Sequence, residues 1–203
     1  TMPAEDVTIE GTFAVNRYAV NYKVDGVGFA VDSVAYGSEI TLIEAPTKEG
    51  HTFSGWSEVP ATMPASDITI EGSFTVNNYT VTYLVDGEVY ATETVAYGSE
   101  IALRDEPTKE GHTFSGWSEA PSTMPASDIT IEGSFAVNNY TVTYLVDGEV
   151  YATETVAYGG EIVLIDAPTK EGYTFSGWSE APAIMPAGDV TINGVFTVNT
   201  YNV

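Results

Sequence analysis

Tyr79-Thr80-Val81-Thr82-Tyr83-Leu84-Val85-Asp86-Gly87-Glu88-Val89-Tyr90-Ala91-Thr92-Glu93-Thr94-Val95 decides how this chain folds. In its first seven residues Tyr79, Val81, Tyr83 and Val85 share one parity, and β-branched and aromatic side chains dominate. That is the pattern of a half-buried strand, whose side chains point alternately to its two faces. The run from Glu88 to Val95 alternates again. Asp86-Gly87 between them tolerates the positive φ that a two-residue type I′ turn demands, so the stretch predicts an antiparallel hairpin.

Beyond the hairpin, Tyr97-Gly98-Ser99 breaks the alternation, and Glu100-Ile101-Ala102-Leu103 fits either a short strand or a single helical turn. Pro107-Thr108-Lys109-Glu110-Gly111 reads as a surface loop. A third strand is expected over His112–Ser118. There Phe114 and Trp117 lie three apart and fall on opposite faces unless the chain bulges, for which Gly116 is suited. A fourth strand carries Ile129, Ile131, Gly133, Phe135 and Val137 on one parity. That parity reverses at Tyr140, so the inward face switches across Asn138-Asn139.

The whole pattern recurs. Tyr18, Tyr79, Tyr140 and Tyr201 stand 61 residues apart, as do Met2, Met63, Met124 and Met185, and Trp56, Trp117 and Trp178. Residues 79–139 and 140–200 differ at 13 positions, and 18–78 and 79–139 at 16, without insertion or deletion. The expected organisation is the tail of a preceding repeat at 1–17, repeat modules at 18–78, 79–139 and 140–200, and the start of a following repeat at 201–203. No Gly/Ser-rich or Pro-rich linker separates the copies, which predicts modules joined almost strand to strand in an elongated, semi-rigid array. A 61-residue globule has a radius of gyration of about 10–11 Å, so each module should add roughly 25–35 Å.

Composition removes several classes of function. The chain has 203 residues, 43% of them apolar, which argues for an ordered fold. Six Lys and Arg against 29 Asp and Glu give a net charge of −23, which repels nucleic-acid phosphates and anionic headgroups. No run of residues is long and apolar enough for a membrane span, so neither nucleic-acid partners nor direct membrane insertion is expected. With no Cys, disulfides, iron–sulfur clusters and thiol nucleophiles drop out. The charge is spread evenly, at −6, −8 and −7 over the three repeats, a distribution that favours solubility and discourages pairing of open strand edges.

Each repeat runs Tyr-x-Val-x-Tyr, Val-Asp-Gly, Val-x-Tyr-Gly, Pro-Thr-Lys-Glu-Gly-(His/Tyr)-Thr-Phe-Ser-Gly-Trp and Met-Pro-Ala-x-Asp-(Val/Ile)-Thr-Ile. In this order the motifs resemble the Listeria-Bacteroides repeat, also called the internalin B-repeat. The resemblance is sharpest at 46–56, 107–117 and 168–178. It implies a mainly β chain of three tandem small β-grasp-like modules. It also implies a place at the bacterial cell surface or wall, or secretion, with no catalytic motif and no cofactor.

Few residues could carry chemistry. His51 and His112 occupy a position that holds Tyr173 in the third repeat, so no function common to the modules needs imidazole. Asp86-Gly87-Glu88 is accounted for by its turn and no calcium loop is present. Lys48, Lys109 and Lys170 sit in loops expected to face solvent. Trp56, Trp117 and Trp178, with Tyr36, Tyr97 and Tyr158, could form a stacking platform for sugars, although core packing is the plainer role for a Trp in so small a module. Two readings follow. One is a monomeric, non-catalytic stalk whose repeats contact their neighbours in the chain and hold a distal domain away from the cell. The other is a multivalent adhesion module that binds a host protein or glycan through strand edges or exposed aromatics.

Overall fold

The computed structural model describes residues 4–200; Met2 and Tyr201, which share in the repeat spacing, and the segment 201–203 lie outside the described residues. The first repeat contains β1 (Arg17–Val24), β2 (Val27–Ala35), β3 (His51–Phe53), β4 (Ile68–Gly72) and β5 (Phe74–Val76). The second contains β6 (Asn78–Val85), β7 (Glu88–Ala96), β8 (His112–Phe114), β9 (Ile129–Gly133) and β10 (Phe135–Val137). The third contains β11 (Asn139–Val146), β12 (Glu149–Ala157), β13 (Tyr173–Trp178) and β14 (Val190–Val198). The fold is mainly β, in three tandem repeats. Two compact units emerge, one holding the chain up to Thr80 with Thr94–Glu100 and Thr123–Asp128, the other Val81–Glu93, Ile101–Ser122 and the chain from Ile129 onward.

Each repeat opens with the expected hairpin. Asp25, Asp86 and Asp147 have φ of 52°, 52° and 53°, and the glycines after them 79°, 84° and 88°, so both central turn residues are left-handed as a type I′ turn requires. The aspartate does more than tolerate that conformation. Its Oδ1 accepts the N–H of Phe74, Phe135 or Phe196 at 2.9 Å in each case, tying the hairpin to the last strand of its own repeat. A bulge after Tyr22 pairs Tyr22 with Ala30 but Lys23 with Gly28, leaving Phe29 as the extra residue. The same irregularity follows Tyr144.

The first and fourth strands of a repeat run parallel side by side, as Val20 with Ile68, Val81 with Ile129 and Val142 with Val190. The sheet orders are accordingly β2-β1-β4, β7-β6-β9 and β12-β11-β14-β13, with β3-β5 and β10-β8 as separate two-stranded sheets. A parallel pair requires the chain to cross over between its strands. Here the crossover is the irregular segment that begins at Tyr36-Gly37. Apart from β3, with β8 and β13 in the later repeats, it is neither helix nor strand, save for single bridges such as Glu39 to Thr62. No helix occurs among the described residues, so the helical element of a β-grasp has no counterpart among them.

Apolar parity then fixes the core. Val20 and Tyr22 of β1 and Ile70 of β4 point to one face, where the crossover lays Ile40 and Met63 over them; the third repeat builds the same cluster from Val142, Tyr144, Ile162, Met185 and Ile192. Met63 is held in place by its own backbone, which donates to Ser38 O and accepts from Gly37 N–H, both at 2.9 Å. The bulge expected beside Trp is present: Gly55, Gly116 and Gly177 have φ near 90°, and the β13·β14 register shifts between Phe175 and Trp178. The fourth strand is a single element only in the third repeat. In the others it breaks at Ser73 and Ser134, whose position is Val195 in β14.

Candidate functional site

Trp56 follows the bulge at Gly55 and turns its ring toward the core, edge-on to Tyr22 at 5.0 Å and to Phe53 at 4.9 Å between centroids. Its indole N–H donates to Ile43 O at 3.1 Å. Trp117 and Trp178 repeat the arrangement, donating to Arg104 O and Ile165 O, both at 2.9 Å. All three are half-buried. A saturated indole donor and T-shaped ring contacts explain each Trp as an anchor of its module.

Tyr36, Tyr97 and Tyr158 lie elsewhere. The ring of Tyr97 covers Gly50 of the first repeat so closely that a Cβ on that glycine would stand 2.1 Å from Tyr97 Cγ. Its other face partner is His51, whose ring is edge-on at 5.8 Å. Tyr158 covers Gly111 and meets His112 in the same way. Tyr36 is exposed, its N–H donating to Asn16 O at 2.9 Å. The structure therefore does not unite these tyrosines with the tryptophans. The aromatic neighbours of Trp56 are Tyr22, Phe29 and Phe53, and that of Tyr97 is His51.

What the tyrosines do build is a joint between consecutive repeats. Asn77 is the single residue between β5 and β6, where the apolar parity reverses. Its N–H donates to Gly50 O at 2.8 Å, and its carbonyl accepts the N–H of Tyr97 at 2.9 Å. Thr52 Oγ1 donates to its side-chain Oδ1 at 2.6 Å. Asn138 makes the corresponding bonds to Gly111, Tyr158 and Thr113. Sequence reasoning set the histidines aside as non-catalytic, and nothing local in the sequence marks their position as a receptor for a tyrosine 46 residues further on.

A shallow cleft beside the bulge recurs in the first two repeats. In the first it holds about 580 Å³ and is lined by Asp25, Ser54, Trp56, Ser57, Glu71 and Ser73. The second, of about 500 Å³, uses the residues 61 positions on. Serine hydroxyls stand in for backbone acceptors here, because Ser57 Oγ takes the N–H of Glu71 at 3.1 Å and Ser54 Oγ that of Ser73 at 3.1 Å. In the second repeat Lys109 Nζ lies 3.8 Å from Asp86 Oδ2. Asn193 and Val195 replace the Glu and the second Ser in the third repeat.

One titrating group stands apart from the rest. Tyr144 is buried, donates to Glu154 Oε1 at 2.8 Å, and has its pKa pushed up to about 12, first by desolvation and then by the hydrogen bond to and charge of Glu154. Tyr83 shifts in the same direction for the same leading causes, with Glu93 as partner. Tyr22 has no such partner and its hydroxyl is buried without a hydrogen bond. Among the described residues no three of His, Asp and Glu gather as a metal site, and no helix is long and apolar enough to cross a membrane.

The profile of the Listeria-Bacteroides repeat domain matches residues 18–76, 79–134 and 140–198. The chain belongs to the Listeria-Bacteroides repeat family. It is 32% identical over 98% of its length to internalin H of Listeria monocytogenes, of which it covers 41%. It is 29% identical over its full length to a protein of Evansella cellulosilytica named "Putative Gly-rich membrane protein", of which it covers 27%. It thus spans less than half of the curated relatives it matches. A solved structure titled "Crystal structure of Mub-RV" aligns with 61% of this chain and 99% of its own at 14% identity and a TM-score of 0.21, too slight a likeness to bear on the fold.

Proposed function

We propose that the chain is a non-catalytic spacer segment of a bacterial cell-surface or secreted protein, in which successive repeats hold a further domain away from the cell. The observation that carries this reading is the joint. A flexible linker would leave its backbone to water, whereas Asn77 and Asn138 each bond backward to a glycine carbonyl and forward to a tyrosine amide. An aromatic ring seated on the same glycine resists bending there. Membership of a family whose relatives include an internalin and proteins named as membrane proteins supports a place at the cell surface.

Small-angle scattering tests the spacer role. The chain should be compared with versions carrying one and two additional copies of residues 79–139. The largest dimension should rise in equal steps of roughly 25–35 Å per repeat. Steps that shrink with each added copy would contradict a spacer.

A further inference from the structure

We infer that the clefts of the first and second repeats are binding sites for a neutral sugar, and that the third repeat has lost that capacity. Each cleft combines an apolar wall with an excess of hydrogen-bond acceptors. In the first repeat the half-buried Trp56 lines the cleft, and because its N–H is already given to Ile43 O, the part of the indole left outside the core offers only hydrocarbon surface. Asp25 spends Oδ1 on the N–H of Phe74 and keeps Oδ2 free. Glu71 is exposed, and its carboxylate takes part in neither of the two ion pairs found among the described residues. Ser57 Oγ accepts from Glu71 N–H, which leaves its proton free to donate. Gly55 places no side chain over this surface, and a Cβ there would meet nothing within 4 Å.

A ligand that satisfies such a site brings several donors on one side and C–H groups on the other. A pyranose does both, because its hydroxyls can donate to the carboxylates while its C–H face lies on the indole. Anionic sugars and phosphates are repelled by Asp25, Glu71 and the net charge of −23. A lysine side chain would satisfy the charges but leaves the serine hydroxyls and the apolar wall unused. The second repeat keeps every one of these residues as Asp86, Ser115, Trp117, Ser118, Glu132 and Ser134; there Lys109 Nζ stands 3.8 Å from Asp86 Oδ2, so Glu132 is the carboxylate left outside the two ion pairs found among the described residues. In the third, Asp147 remains, but Asn193 removes the carboxylate that Glu71 supplies and Val195 removes one hydroxyl of the serine pair that in the first repeat stands at 3.0 Å.

The chain supplies its own control, since it has three tryptophans and therefore three indole N–H resonances. In ¹H–¹⁵N spectra, titration with glucose, galactose and N-acetylglucosamine should include at least one sugar that shifts the Trp56 and Trp117 indole signals saturably and leaves Trp178 unmoved. Glu71→Asn should abolish the Trp56 response alone. Asn193→Glu with Val195→Ser should create a response at Trp178, a gain that misfolding cannot mimic. Absence of any saturable shift, an equal shift of all three signals, or a response to lysine amide without one to sugar would each overturn the assignment. The inference is independent of the spacer role: sugar binding without equal steps in particle size, or equal steps without binding, separates the two.

Discussion

Tyr22, Tyr83 and Tyr144 are the same residue in three copies, and a single methylene separates their fates. Tyr83 and Tyr144 donate to Glu93 and Glu154 at 3.0 and 2.8 Å. The first repeat has Asp32 at that position, and its shorter carboxylate instead accepts the N–H of Ser33 at 2.7 Å. The orphaned Tyr22 hydroxyl carries a desolvation cost with no compensating bond. Asp32→Glu should therefore stabilise the first repeat by about 1 kcal/mol, seen as slower hydrogen exchange at the Val20 and Tyr22 amides, and Tyr22→Phe should cost nothing measurable. Tyr144 makes the opposite case with pH. Its folded pKa of about 12 lies above the ordinary value of 10.0, so its contribution is intact below pH 10 and is lost as pH rises from 10 through 12. Alkaline denaturation of the wild type should steepen over that window, and Tyr144→Phe should flatten its own share; an unchanged profile would dismiss the coupling to Glu154.

At the scale of elements, the joint depends on a glycine that nothing in a single sequence copy distinguishes from a turn glycine. Gly50 and Gly111 have positive φ and each lies beneath a tyrosine, whereas Gly172 has positive φ and nothing within 4 Å of a Cβ. Ala at 50 or 111 should thus combine backbone strain with loss of the ring contact, costing more than the roughly 1 kcal/mol expected of strain alone. Gly172→Ala should show the strain only, and urea midpoints of the three variants measure the difference. The hairpin, its Asp-Gly turn, the buried parity of Val81 and Tyr83 and the bulge at Gly116 were legible in the sequence because each is set by neighbours a few residues apart. The parallel pairing of β1 with β4 was not, since Val20 and Ile68 are 48 residues apart and an alternating strand has the same pattern beside a parallel or antiparallel partner. The break of the fourth strand at Ser73 and Ser134 was not legible for a similar reason: only the fold reveals that the hydroxyls of Ser54 and Ser115 accept their N–H groups.

At the scale of the whole chain, recurrence told more than composition. The 61-residue period exposed three copies, while the net charge of −23 argued against nucleic-acid partners without naming another. Some of that charge has local work: Asp67, Asp128 and Asp189 each accept a backbone N–H at 2.7–2.8 Å, that of Ala19, Thr80 and Thr141. Tyr36, Tyr97 and Tyr158 were legible as aromatic and recurrent, but their assignment beside the tryptophans had no local signal to correct it, because the partners of Tyr97 and Tyr158 belong to the repeat before. The spacer role stands on whether one repeat is fastened to the next. Amide hydrogen exchange at Asn77 and Asn138 in the intact chain measures this most directly. Fastened joints require these two amides to be protected as strongly as the strand amides of Val81 and Val142. Exchange at the rate of an open loop would show that Gly50 and Gly111 do not hold them, and that the repeats are merely strung together.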